Sequence, residues 1–354
     1  MNLEISGLRE IVDELCTTTC LEREQLRQLL LMESPEALEY LYASARRVRE
    51  QWYGKKVYVR GLIEFTNYCR NDCYYCGIRR SNSRVERYRL THKEIVDCCR
   101  AGYMLGYRTF VLQGGEDGHY TKEDLAELVA EIHCLFSDCA ITLSFGEWER
   151  EAYECWYEAG ASRYLLRHET ASQAHYEKLH PKLMSFANRR RCLEDLKEIG
   201  YQVGAGFMVG SPFQTVEDII EDIYYLKELK PHMVGIGPFL PQKDTPFGKE
   251  EPGSLTMTVK LLAIIRLMHP KVLLPATTAL GTISSNGREL GLLAGANVLM
   301  PNLSPKDVRK QYTLYDNKLC TGTEAAEHRE RLADKIHQIG YELAMEKGDS
   351  LVEL

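Results

Sequence analysis

The chain has 354 residues and a formal charge of −7, from 44 basic and 51 acidic side chains, with 44% hydrophobic and 27% charged residues. This mixture excludes a disordered or fibrous chain, and the mild acidity excludes the basic face that neutralises nucleic-acid phosphate. No apolar run approaches the roughly 20 residues of a membrane span. MNLEISGLREIVDEL at the N-terminus is acidic and amphipathic, unlike a secretory signal, so a cytoplasmic protein without membrane or nucleic-acid partners is expected.

Residues 1–52 read as helices: Leu26, Leu29, Leu30 and Met32 fall near helical spacing, and Ser34-Pro35-Glu36 marks a stop and a new helix start. From Val57 the pattern becomes short and β-branched (VYVRGLIEF), followed by a loop rich in Asn and Asp. Thr91 with Glu94 predicts a capping box for a helix over about 91–105. Strands are then predicted at 109–113, 140–144, 163–167, 201–209, 233–239, 272–278 and 296–300, with helices between them at 121–135, 149–158, 215–229 and 255–268. Eight strand candidates over about 245 residues fit a closed parallel barrel better than an open doubly wound sheet. The expected architecture is an α/β (β/α)8 TIM-type barrel over 55–303, preceded by a helical extension (1–54) and followed by a barrel-closing segment with a helical tail (304–354). In such barrels the chemistry lies in the loops after the strands, where Arg, Glu, His, Thr and Trp accumulate beyond what turns require.

Twelve cysteines in a reducing cytosol are not a disulfide scaffold. Cys16, Cys20, Cys134, Cys139, Cys155, Cys192 and Cys320 are scattered and read as small packing residues, as do Cys98 and Cys99 within a predicted helix. Cys69, Cys73 and Cys76 instead crowd one polar loop. Three thiolates at that spacing can hold three irons of a cubane and leave the fourth open to a ligand. Structural zinc would require a fourth ligand that the neighbourhood lacks.

FTNYCRNDCYYCG (65–77) resembles the signature of the radical S-adenosylmethionine enzymes. GEW, RYLLRHET, GAGFMVGSP, MVGIGPF and PATTALGT extend the resemblance over about 55–315 to the FeFe-hydrogenase maturases of the biotin synthase-like subgroup. The resemblance implies one 4Fe–4S cluster on Cys69, Cys73 and Cys76, and S-adenosyl-L-methionine bound at its open iron. The cofactor would lie among Tyr75, Gln113, Glu116, Thr142, Arg167, Glu169, Arg189 and Met208, with the glycines of 204–210 giving close backbone approach. It further implies a cavity lined by Arg163, Met233, Thr277, Thr278, Met300, Tyr312 and Tyr315, holding a cysteine-bound Fe(CO)2(CN) unit whose sulfur the 5′-deoxyadenosyl radical attacks. Implied partners are the other hydrogenase maturases (a radical tyrosine lyase and a GTPase scaffold) and a reductant protein. Some relatives carry a second cluster on three C-terminal cysteines; here only Cys320 stands in that region, so a single cluster is expected. A methylornithine synthase-like reaction on a small amino acid is the alternative enzyme reading. A non-catalytic cluster carrier is the alternative of another class.

Overall fold

The computed structural model describes residues 5–320 and 325–353. Three helices open it, Ile5–Thr18, Arg23–Leu31 and Pro35–Tyr53, the last begun by Pro35 with the Ser34 hydroxyl accepting from the Ala37 N–H. They cover the barrel helix Leu255–Met268, which explains why that helix is apolar almost all round. Its buried Lys260 donates to the Leu30 and Met32 carbonyls at 2.7 and 2.6 Å, fastening the extension to the barrel.

The first predicted strand is two, β1 (Lys56–Val59) and β2 (Gly61–Thr66), separated at Arg60. There follow β3 (Thr109–Gly114), β4 (Ala140–Ser144), β5 (Arg163–Leu165), β6 (Gln202–Ala205), β7 (Met208–Val209), β8 (Met233–Val234), β9 (Gly237–Pro238), β10 (Val298–Leu299) and β11 (Glu342–Ala344). All the strand pairings are parallel, in the order β2-β3-β4-β5-β6-β8, with β7 on β9. Bridges from Met233 to Leu273, from Pro275 to Val298 and from Leu62 to Asn302 complete the ring, closing an eight-stranded TIM-type barrel. The predicted strand at 272–278 is reduced to these bridges, because Pro275 has no N–H to give to a ladder. Helices fall where the sequence placed them: His92–Met104 carries the Thr91–Glu94 capping box and buries Cys98 and Cys99.

The C-terminal part is not simply helical. After the helix Arg329–Gln338, β11 pairs with β1 through Lys56–Tyr58, and residues 345–353 cross the floor of the barrel. There the Thr109 hydroxyl donates to the Lys347 carbonyl at 2.9 Å, and Arg163 pairs with Asp349 at 2.6 Å. Among the described residues, no helix is long and apolar enough to cross a membrane.

Candidate active site

A cavity of about 370 Å³ opens at the end of the barrel where the strands finish. Its wall contains Cys69, Cys73, Cys76, Tyr75, Gln113, Glu116, Arg167, Glu169, Arg189, Met208, Thr277, Thr278, Met300, Tyr312 and Tyr315, residues that the sequence disperses from position 69 to position 315.

The cysteine loop is held from several sides. The Asn67 side-chain amide donates to the Glu86 and Gln311 carbonyls, and Arg79 pairs with Asp72 at 2.7 Å. Gly115 lies directly on the loop, where a Cβ would overlap the Tyr68 carbonyl and crowd Cys69, so the glycine turn after β3 and the cysteine motif fit as one unit. Burial, then the neighbouring cysteines, push the Cys73 thiol well up, and burial with Cys69 beside it takes Cys76 to about 12. Three half-buried thiols of this kind become thiolates only beside strong positive charge, which iron supplies. Among the described residues no three His, Cys, Asp or Glu side chains converge on the position of a single ion; a cubane, with each thiolate on its own iron, requires no such convergence.

Tyr75 lines the cavity beside His180. The His180 Nδ1–H donates to the Tyr176 carbonyl at 3.0 Å, which leaves Nε2 to accept from the Tyr75 hydroxyl at 3.1 Å. Burial, then Arg189, lower the His180 pKa to about 3, consistent with that neutral tautomer. Tyr74 turns away and packs edge-on against Phe247.

Four charged groups border the cysteines. Arg189 is buried against Glu147 at 2.6 Å, and Arg167 pairs with Glu169 at 3.1 Å. Glu116 meets Arg70 at 3.2 Å, and burial raises its carboxyl above the ordinary value. Gly146 (φ +88°) leaves the space that the Glu116 side chain fills. Glu169 itself has φ +67°, a strained backbone for a non-glycine residue, held by its N–H on the Gly206 carbonyl at 3.0 Å. Despite these ion pairs, Arg189 Nε, Glu147 Oε1, Arg167 Nη2 and Glu169 Oε2 are buried without a hydrogen bond of good geometry, as is Thr277 Oγ1. The four charged atoms face one another in the two ion pairs, whereas a buried hydroxyl such as that of Thr277 is costly unless a ligand completes it.

Three expected site residues lie elsewhere. Thr142, Arg163 and Met233 sit on the lower parts of their strands and line, with Arg60, a void of about 10 Å³ near the floor, room for about one water. Arg163 reaches Asp349 and the Thr109 hydroxyl, not Glu169. The glycines at 204 and 206 also serve packing: a Cβ on Gly204 would press on Leu165 and Met233, and one on Gly206 would overlap the Gly235 carbonyl. Asp117 is structural, fastened to Arg89 at 2.6 Å and to the Thr66 hydroxyl at 2.7 Å. The sequence did not single out Glu147, Glu64 or Lys318. Glu147 follows β4 at a strand end, and Glu64 is a carboxylate inside an otherwise apolar strand, so both left a legible signal; Lys318 left none.

A parallel barrel with three loop cysteines and ion-paired charges at its mouth fits a radical enzyme, and residues 63–226 match the Radical SAM superfamily, to which the chain belongs. Enzymes of this superfamily use a 4Fe–4S cluster and S-adenosylmethionine, and the donor set above fits both. The chain is 48% identical over 298 residues to the FeFe hydrogenase maturase subunit HydE of Thermotoga maritima, covering 84% of this chain and 85% of that protein. It is 34% identical over 301 residues to 3-methylornithine synthase of Methanosarcina acetivorans, covering 84% of each. The crystal structure of methylornithine synthase (PylB) superposes with a TM-score of 0.85 at 30% identity, over 94% of this chain and 97% of that one.

Proposed function

We propose that this chain is a HydE-type maturase of FeFe hydrogenase. Its cofactors supply the 5′-deoxyadenosyl radical by one-electron cleavage of the sulfonium. Cys69, Cys73 and Cys76 hold the cluster. The turn Gly114–Glu116 receives the methionine ammonium, Arg189 the methionine carboxylate and Glu169 the ribose hydroxyls, while Tyr75 and Met208 wall the cofactor in. Thr277, Thr278, Met300, Tyr312 and Tyr315 line the remaining space for a cysteine-bound iron unit bearing carbonyl and cyanide ligands, whose sulfur is the atom attacked. That substrate would come from another maturase, and the electron from a reductant protein in the same compartment, the cytoplasm. Residues 1–54, 55–303 and 304–354 are the corresponding extension, barrel and closing segment.

One observation carries the reading: Glu116, Arg167, Glu169 and Arg189 line the same cavity as the three thiols. The test is anaerobic reconstitution with iron and sulfide, then dithionite and S-adenosylmethionine with product analysis by mass spectrometry, using Cys73→Ala as control. The expected product is 5′-deoxyadenosine, diverted to a thioether adduct when a cysteine-derived thiol is present. Cleavage with lysine rearrangement and no adduct would favour methylornithine synthase-like chemistry, the activity of the relative whose structure superposes so closely. A bound cluster without any cleavage would reduce the protein to a cluster carrier.

A further inference from the structure

Among the described residues, six charged side chains line the large cavity. Glu116, Arg167, Glu169 and Arg189 gather around the proposed cofactor position. The other two, Glu64 and Lys318, form a separate pair. Glu64 is completely buried on β2 and its carboxylate accepts from Lys318 Nζ and from the Asn302 amide at 2.8 Å. Its partner comes from the far end of the chain, on the segment after the short helix Arg309–Gln311, and is 9% exposed.

That segment crosses the barrel mouth as a strap. The Gly77 N–H donates to the Leu314 carbonyl, and the Asp316 N–H to that of Pro241. Beyond the strap lies a second cavity of about 520 Å³, lined by residues 84–86, 242–244, 309–313, 315–318 and 320. Tyr312, Tyr315 and Lys318 line both cavities and so stand between them.

An ammonium has three protons to donate. At Lys318 one goes to Glu64 and one to the Tyr312 carbonyl at 3.1 Å, with the ammonium 4.8 Å from the centre of the Tyr312 ring. Both Glu64 oxygens are already engaged, so the carboxylate holds the cation in place, and among the described residues no hydrogen-bond partner takes the third N–H. A purely structural tie would be better made by apolar residues, since a buried pair gains little net stability. We propose that Lys318 is a specificity-determining residue that receives the carboxylate of an amino-acid-derived substrate, with Glu64 as its positioning residue. The proposal rests on the reading of the large cavity as the site of such a substrate.

The test is calorimetric titration of the reconstituted full chain, without oxygen, using L-cysteine and L-cysteine methyl ester as probes. Wild type is expected to bind cysteine about tenfold more tightly than the ester, the worth of one charge-assisted hydrogen bond. In Lys318→Met, and in the double variant Glu64→Gln/Lys318→Met that leaves no unpaired buried charge, cysteine falls to the level of the ester while the ester is unmoved. Lys310→Met, a lysine of the second cavity only, should retain the discrimination. Three results would overturn the proposal: no preference for cysteine in wild type, equal loss of both probes in the double variant, or the same loss in Lys310→Met. S-adenosylmethionine cleavage is measured on the same samples. Cleavage without the preference removes the role of Lys318 and keeps the radical chemistry; the preference without cleavage does the reverse.

Discussion

Two charges on the barrel strands are each met by a partner from the C-terminal part of the chain, and the two unions differ. At the floor, Arg163 on β5 meets Asp349, whose side chain is 55% exposed, and the adjoining void holds about 10 Å³. At the mouth, Glu64 on β2 meets Lys318, both almost fully buried, beside a cavity of about 370 Å³. Arg163 has the Thr109 hydroxyl and the Lys347 carbonyl as further partners, so its ion pair is one fastening among several. Lys318 lines two cavities and, among the described residues, keeps one donor unspent. The same device, a late segment neutralising an early strand, closes one end and furnishes the other.

The contrast is broken most forcefully by removing one member of each pair. Glu64→Ala strands a buried ammonium and should cost about 3–5 kcal/mol in chemical denaturation, whereas Asp349→Ala should cost about 1 kcal/mol, because solvent already screens that pair. Equal losses would show that the mouth pair is as much a fastening as the floor pair. A smaller effect is expected from Gly146→Ala, which forces a Cβ into the space of Glu116 at a backbone of φ +88°. S-adenosylmethionine affinity, read by equilibrium dialysis, should fall about tenfold, with the floor contacts and the Glu64–Lys318 pair intact. The smallest effect is on acid stability. Burial alone would raise the Asp349 carboxyl, but the Arg163 hydrogen bond and charge outweigh it and hold the group below its ordinary value. A lowered folded pKa stabilises above the unfolded value near 3.9 and loses that contribution as pH falls toward the folded one. Hydrogen exchange at residues 342–350 should therefore accelerate below about pH 4 in wild type, with that added acid dependence absent in Asp349→Asn.

Most of the barrel was legible because its helices carry caps and periodicity, Thr91–Glu94 and Thr121 among them, and because its strands are short apolar runs. The cysteine loop, Glu116 and Glu169 were legible as motifs at strand ends, whereas Arg189, inside the helix Phe186–Ile199, was reached only through the family resemblance. What escaped was depth within the barrel. Side chains at the start and end of one strand share the same alternation, so nothing in the pattern of the run 163–167 separates Arg163 at the floor from Arg167 at the mouth. The floor segment itself was hidden because β11 is three residues long and only half-buried, too short for a periodicity to declare it. Lys318 was hidden for a related reason: a lysine in a polar stretch reads as solvated until the fold supplies Glu64.

The pairing of β1 with β11 joins an early strand to a late one. During synthesis at roughly 5–20 residues per second, one edge of β1 waits for a partner translated on the order of 290 residues later. Exposed strand edges invite association with other chains, so a ribosome that stalls before residue 342 releases a barrel with an adhesive seam. Nascent chains of this protein are accordingly expected to engage chaperones until translation has passed that point.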